Sequence, residues 1–318
     1  MRVLKWKDPW QRSYFELFKS HDTGFCNRIF HWEIASFIND NFCDGKYQIA
    51  VEESQWPELK ELIELPKTFV ISKDKEFDYF TKLSNVEIYD SKLLDIFSKK
   101  YKINFDKNYV SNFKYTDIGV LEDEGYIKTS KRPLSKLKIQ NKELQHNIES
   151  QVSDLVGIHV RRARGVIIPS YMYDDDEYTD YIEFRKEQGA IENSMFEYVE
   201  DDTYFKVIDS ILKINKNQKF YLSYDVPFKF ILKFKERYGD TILTKKDIKS
   251  NLDLSSIKNS IDLHIDNTID LFSLSNTKYL LTYPVSTWSV FAKEYKSKES
   301  NCILDDVSII IETYNKQK

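Results

Sequence analysis

The chain has 318 residues, 41% of them hydrophobic, and a formal net charge of −4. That is length for two domains or one large one, with apolar material for full cores, which excludes disorder as the default state. The slight acidity excludes broad nucleic-acid binding, which needs a basic surplus, and no apolar stretch is long enough to span a bilayer. Cys26, Cys43 and Cys302 are scattered without metal-ligand spacing, and Met1 to Asp8 holds no apolar signal core, so a reducing cytoplasm is the expected location.

In chain order, Asn27 to Asp40 sets Phe30, Ile34, Phe37 and Ile38 on one helical face, fed by a loop that follows Gly24. Tyr47 to Val51 alternates as a strand does, Pro57 to Glu64 reads as a helix, and Lys67 to Ser72 is again strand-like. Asp90 to Lys100 reads as a helix with Leu93, Leu94 and Phe97 facing inward. Strands alternating with helices are the pattern of an α/β layer fold. Asp123 to Asn147 is polar and lysine-rich, with Pro133 inside it, and reads as the boundary region between two halves, residues 1–150 and 151–318. Its basic cluster (Lys128, Lys131, Arg132, Lys136, Lys138) is expected to be a solvated face, given the overall acidity.

The second half opens on Leu155-Val-Gly-Ile-His159-Val160, a buried strand that runs into Arg161 and Arg162. Open α/β sheets bind ligands at the carboxyl ends of their strands. Adjacent strand residues point to opposite faces, and two buried ion pairs back to back would be costly, so a loop just past the strand is expected to free both guanidinium groups for a phosphate or diphosphate. Gly165 to Asp202 is irregular and acidic, holding Asp174-Asp-Asp176-Glu177, and long loops of this kind often carry function. Tyr204, Val207, Ile208, Ile211 and Leu212 then form a helical stripe. Lys219 to Ser223 is a strand that ends at Tyr224-Asp225, and Pro227 to Tyr238 a helix. Thr268 to Ser275 is a helix, Lys278 to Thr282 a strand, and Tyr283-Pro-Val-Ser286-Thr287 turns into a last helix that runs through Tyr295. Three strand ends therefore carry polar groups: His159, Arg161 and Arg162; Asp225; Ser286 and Thr287. A hydroxyl at a helix start either binds an anion with the free N–H groups there or simply caps the helix.

These blocks carry a family resemblance. Gly157-Ile-His159-Val-Arg161-Arg162 resembles the HxRR motif of the α1,6-fucosyltransferase group, which includes the nodulation-factor fucosyltransferases and, more distantly, the protein O-fucosyltransferases. Phe220 to Asp225 is similar to that group's strand ending in an aspartate. Asp270 to Thr287 resembles its last helix–strand–serine block, and Gly24-Phe-Cys-Asn27-Arg28-Ile-Phe30 its first loop. The resemblance implies a GT-B fold, two Rossmann-like domains facing a central cleft, with residues 1–150 on the acceptor side and 151–318 holding the nucleotide sugar. It implies inverting transfer of fucose from GDP-fucose to a glycan hydroxyl, without a metal. Arg161 and Arg162 would clamp the diphosphate, His159 and Asp225 would lie near guanine and ribose, Ser286 and Thr287 would donate to phosphate, and Asn27 and Arg28 would approach sugar and diphosphate.

The chain departs from the pattern at Ala163-Arg164-Gly165, where an acid is usual after the arginines, and at Cys26, where glycine is usual. The general base that an inverting transferase needs is therefore sought among Asp174, Asp175, Asp176, Glu177, Asp180 and Glu183, with Asp176 and Glu177 as the catalytic candidates. Trp10, Trp32 and Trp56 are candidates for stacking on an acceptor sugar. Two alternatives stay open. Asp174-Asp-Asp176 could hold Mn²⁺ or Mg²⁺ in a GT-A transferase using a UDP-sugar, or the chain could be a non-catalytic glycan- or nucleotide-sugar-binding protein on a degenerate transferase fold.

Overall fold

The computed structural model describes residues 3–6, 48–52, 61–64, 67, 69–72, 86–89, 108–111, 138–161, 199–224, 228–258, 262–283, 286–295 and 300–317. The chain divides into two compact units: Met1–Gln140 with Ile257–Ser260, and Asn141–Ser256 with Ile261–Lys318.

The first unit holds a five-stranded sheet in the order β4-β2-β1-β6-β5, built from β1 (Val3–Trp6), β2 (Gln48–Glu52), β4 (Phe69–Ser72), β5 (Val86–Tyr89) and β6 (Asn108–Ser111). All four of its strand pairs are parallel. Parallel neighbours need crossover connections, which the lengths of chain between these strands supply. A short antiparallel pair joins β3 (Ile63–Glu64) to β7 (Lys138–Ile139), with Ile63 opposite Ile139 and both buried.

That pair corrects one expectation. Pro57 to Glu64 was expected to be helical, but Glu61 and Leu62 form a turn and Ile63–Glu64 a strand. The polar boundary segment Asp123 to Asn147 holds the β7 strand and the start of helix α1 (Lys142–Val152), and the division between the two units falls inside it. The Asn141 side-chain amide oxygen caps α1, accepting from the N–H groups of Glu143 at 3.0 Å and Leu144 at 3.1 Å. Leu144, Ile148 and Val152 recur every four residues and are its buried face, a stripe obscured by the Lys, Glu and Gln around it. The helices expected over 27–40 and 90–100, and the acidic segment 165–198, lie outside the described residues.

The second unit holds a five-stranded sheet in the order β10-β9-β8-β11-β12, all pairs parallel: β8 (Val156–Val160), β9 (Phe220–Tyr224), β10 (Ile242–Thr244), β11 (Tyr279–Thr282) and β12 (Ser300–Cys302). Numbered within the unit, the order is 3-2-1-4-5, that of doubly wound nucleotide-binding sheets, and it reverses between β8 and β11. Among the described residues six further helices accompany it: α2 (Asp201–Ile214), α3 (Phe228–Tyr238), α4 (Lys245–Lys249), α5 (Asp262–Asn276), α6 (Thr287–Tyr295) and α7 (Val307–Lys316).

Alternation along the strands sorts the sheet into two different faces. On one, Val156, Ile158 and Val160 join Phe220, Leu222, Tyr224, Tyr279 and Leu281 in an apolar core with α2, α3 and α7. The stripe Tyr204, Val207, Ile208 and Ile211 supplies α2's side of that core. The other face, under α5, carries Gly157, His159, Tyr221 and Ser223. Helix α5 and the residue after it are buried continuously from Thr268 to Thr277, with no exposed side, as in a helix packed all round. Gly157 lets it close on β8: a Cβ there would stand 2.5 Å from Thr277 Oγ1 and 3.0 Å from Leu274 Cδ1. Thr277 has no room to yield, since it is fully buried and its hydroxyl donates to the Leu274 carbonyl at 2.8 Å. Gly157→Ala is therefore expected to destabilise the protein by about 1–3 kcal/mol, the usual cost of overpacking. A urea midpoint that falls while the slope stays constant is the expected readout.

Candidate functional site

Strands β8 and β11 pair in parallel, Tyr279 beside Val156 and Leu281 beside Ile158, so their carboxyl ends emerge side by side where the strand order reverses. The first brings His159 and Arg161, the second the turn from Tyr283 to Ser286.

His159 is 2% exposed. Its Nδ1 lies 2.8 Å from the Oγ of Ser289 on α6, and that same oxygen accepts the Tyr283 N–H at 2.9 Å. Its ring meets the Tyr283 ring edge-on, with centroids 6.2 Å apart. One serine hydroxyl thus ties the end of β8 to the turn leaving β11 and to the first turns of α6. Burial, followed by the positive charge of Arg161 close by, pushes the His159 pKa down to about 3. At neutral pH the imidazole is uncharged, so it serves here as a fixed polar joint and not as a proton carrier.

Arg161 is the first residue beyond β8 and is partly exposed. The hydroxyl of the buried Tyr204 on α2 bridges its backbone, accepting from the Arg161 N–H and donating to the Arg161 carbonyl, each at 3.4 Å. The peptide that carries the guanidinium is thereby held from beneath.

Ser286 stands at the N-terminal boundary of α6, where its carbonyl accepts the Val290 N–H at 2.9 Å. Its side chain is 1% exposed, and its Oγ has no hydrogen-bond partner among the described residues. The two readings of this hydroxyl in the sequence, capping and anion binding, are thereby separated: it makes no capping bond, and an unsatisfied buried hydroxyl costs free energy unless something supplies a partner.

Sequence reasoning missed a second polar group set, on the same face of the sheet. The Asp270 carboxylate, 3% exposed on α5, accepts from the Tyr221 hydroxyl at 2.7 Å and from the Ser223 hydroxyl at 2.8 Å. Ser223 Oγ in turn accepts from the Trp288 indole N–H at 3.1 Å. Burial and then the Asp270 charge raise the Tyr221 pKa well above its ordinary value, so the phenol stays protonated as a donor. The network joins β9, α5 and α6. The signal available in the sequence was an acid set among Ile269, Leu271 and Phe272, a place where a carboxylate survives only with buried partners.

Of the residues singled out from the sequence, His159, Arg161 and Ser286 fall at one strand junction. Thr287 is the first residue of α6. Asn27, Arg28, Arg162, Asp176, Glu177 and Asp225 lie outside the described residues, as do Trp10, Trp32 and Trp56. Among the described residues no group of three or more His, Cys, Asp or Glu could hold a metal ion, and no helix is long and apolar enough to cross a membrane.

No protein-family model and no curated sequence matches the chain. Among solved structures it is similar to the fucosyltransferase NodZ from Bradyrhizobium, with a TM-score of 0.49, 10% identity, and coverage of 92% of this chain and 91% of that one. It is similar to a NodZ alpha-1,6-fucosyltransferase soaked with GDP-fucose at a TM-score of 0.44 and 11% identity, covering 92% of each chain. It is also similar to POFUT1 in complex with GDP at a TM-score of 0.46 and 11% identity, covering 95% of this chain and 98% of that one.

The buried histidine has a pH consequence. Its folded pKa is depressed from 6.5 to about 3, so the unfolded chain binds the extra proton, and stability falls as pH drops through 6.5 toward 3. Between pH 7 and pH 5 this one group is expected to remove about 2 kcal/mol of stability. Urea unfolding at both pH values checks it: His159→Gln should lose that much less over the interval, and an unchanged slope would contradict the assignment.

Proposed function

We propose that the protein is an inverting glycosyltransferase that takes its sugar from a GDP-linked donor, fucose first among the candidates, and delivers it to a glycan hydroxyl. The observation that carries this is that the adjacent strands β8 and β11 lead into Arg161 and into the buried, uncapping hydroxyl of Ser286 at the reversal point of a 3-2-1-4-5 parallel sheet. Ligands of such sheets lie outside the strands' carboxyl ends at that point, and the two groups there suit a diphosphate: a guanidinium fork and a hydroxyl at a helix N-terminus. The resemblance to the HxRR motif supplies the class of diphosphate, a GDP-sugar.

In this reaction the acceptor hydroxyl oxygen attacks the anomeric carbon as the bond from that carbon to the diphosphate breaks. The leaving GDP gathers negative charge, which Arg161 and Arg162 stabilise, and a carboxylate, Asp176 or Glu177, takes the acceptor's proton. Ser286 and Thr287 donate to the phosphates, and Asp225 faces the ribose. His159 holds the β8 end and the α6 turn together beneath the nucleotide. A GT-B architecture belongs to this proposal, with residues 1–150 as the acceptor-side domain contributing Asn27 and Arg28, and 151–318 as the donor domain. So does metal-independent donor binding.

Calorimetric titration with GDP, UDP, CDP and ADP, each in EDTA and then in Mn²⁺, tests the donor class. GDP is expected to bind in EDTA; UDP binding that requires Mn²⁺ would replace the proposal with a GT-A transferase. Arg161→Ala is expected to lower transfer from GDP-fucose by about 10²–10³-fold, the scale of losing one strong transition-state donor. Near-normal turnover in that variant would remove the arginine from the diphosphate clamp. Ser286→Ala is expected to leave folding stability unchanged or slightly raised, because no capping bond is lost and a buried unpaired hydroxyl is removed, while GDP affinity falls about fivefold, the worth of one neutral hydrogen bond. The reverse pattern would return the residue to structural capping.

A further inference from the structure

At the far side of the same sheet edge, Lys245 follows the last residue of β10 and begins α4. Its ammonium sits over the Tyr224 ring, 4.5 Å from the centroid, and Tyr224 is the last residue of β9. The carboxylates around this spot are already engaged. Asp247 accepts from Lys235 Nζ at 2.7 and 2.9 Å and from the Thr244 hydroxyl and N–H. Asp266 accepts from Lys249 Nζ at 2.6 Å, and Asp270 from Tyr221 and Ser223. Neighbouring lysines are thus neutralised by acids, whereas among the described residues no carboxylate pairs with Lys245. A cation–π contact occupies none of the three N–H donors of an ammonium, and a lysine at the start of a helix gains nothing from the helix dipole.

The position gives this cation an outlet. β10 lies two strands from β8, about 10 Å at ordinary strand spacing. A nucleoside anchored by its diphosphate between β8 and β11 and lying along the strand ends toward β9 spans that distance. The edge of its base would then reach the Lys245 ammonium, which rests directly on the Tyr224 ring. Such an ammonium donates to a base edge that offers two adjacent acceptors, as guanine does with O6 and N7, and it meets a repelling amine where adenine carries N6.

Resting on the GDP-sugar proposal above, we infer that Lys245, supported on the ring of Tyr224, is a specificity residue for the donor base, donating to the O6 and N7 edge of guanine. The substitution Lys245→Met keeps an unbranched side chain on the tyrosine and removes the charge and the donors. Kd values for GDP, IDP and ADP, measured by calorimetry on the whole protein and its variant, test it. Wild-type protein is expected to bind GDP and IDP alike, since IDP keeps O6 and N7, and both well above ADP. Lys245→Met is expected to weaken GDP and IDP about tenfold or more, the worth of a charged hydrogen bond, and to leave ADP nearly unchanged. An equal loss for all three nucleotides, or an unchanged GDP-to-ADP ratio, would overturn this inference and leave the transferase proposal standing. Absence of GDP binding by the wild-type protein would overturn both.

Discussion

Parallel pairing of β8 with β9 on one side and β11 on the other is the constraint from which the rest of the second unit follows. It sends every strand's carboxyl end to one edge, and the reversal of strand order leaves a gap there between two outgoing turns. The bond from His159 to Ser289 and the bond from the Tyr283 N–H to Ser289 fix the width of that gap with a single hydroxyl. The burial that makes the imidazole a neutral joint also withholds it from acid–base chemistry near neutral pH. Proton transfer in the proposed reaction therefore has to come from elsewhere, and the acidic stretch around Asp176 and Glu177 is where the sequence offers it.

The two faces of this sheet do different work. The apolar face, shared with α2, α3 and α7, is a packed core of aliphatic and aromatic side chains that supplies the hydrophobic driving force. The face under α5 is polar in an unusual degree for a buried surface, yet its main groups are matched: Asp270 with Tyr221 and Ser223, Ser223 with Trp288, His159 with Ser289. Buried networks of this kind specify one geometry, because breaking any partner leaves a costly orphan. Both lead to α6, the helix whose N-terminal boundary carries Ser286. The one hydroxyl left without a described partner on that boundary is the one at the sheet's open edge.

The second unit was legible in the sequence where one period dominated. The run from Leu155 to Val160, the stripe from Tyr204 to Leu212, and the strand–turn–helix from Lys278 to Tyr295 all correspond to observed elements within a residue or two. Helix α1 was hidden because its three buried residues sit among charged ones, so composition outweighed spacing. Strands β3 and β7, two residues each, gain their identity from the partner across the pair, which no local pattern records. At the site, His159, Arg161 and Ser286 were legible as polar groups at strand ends. Ser223, Asp270, Trp288 and Ser289 were not, because their meaning lies in contacts between elements 47 and 65 residues apart, or as far as 130.

The most direct measurement is a crystal structure of the protein with GDP in the presence of EDTA. The diphosphate should lie outside the carboxyl ends of β8 and β11, with the Arg161 guanidinium against it and Ser286 Oγ within hydrogen-bond distance of a phosphate oxygen. A diphosphate bound away from that junction, or a Ser286 hydroxyl still unengaged with GDP in place, would contradict the account.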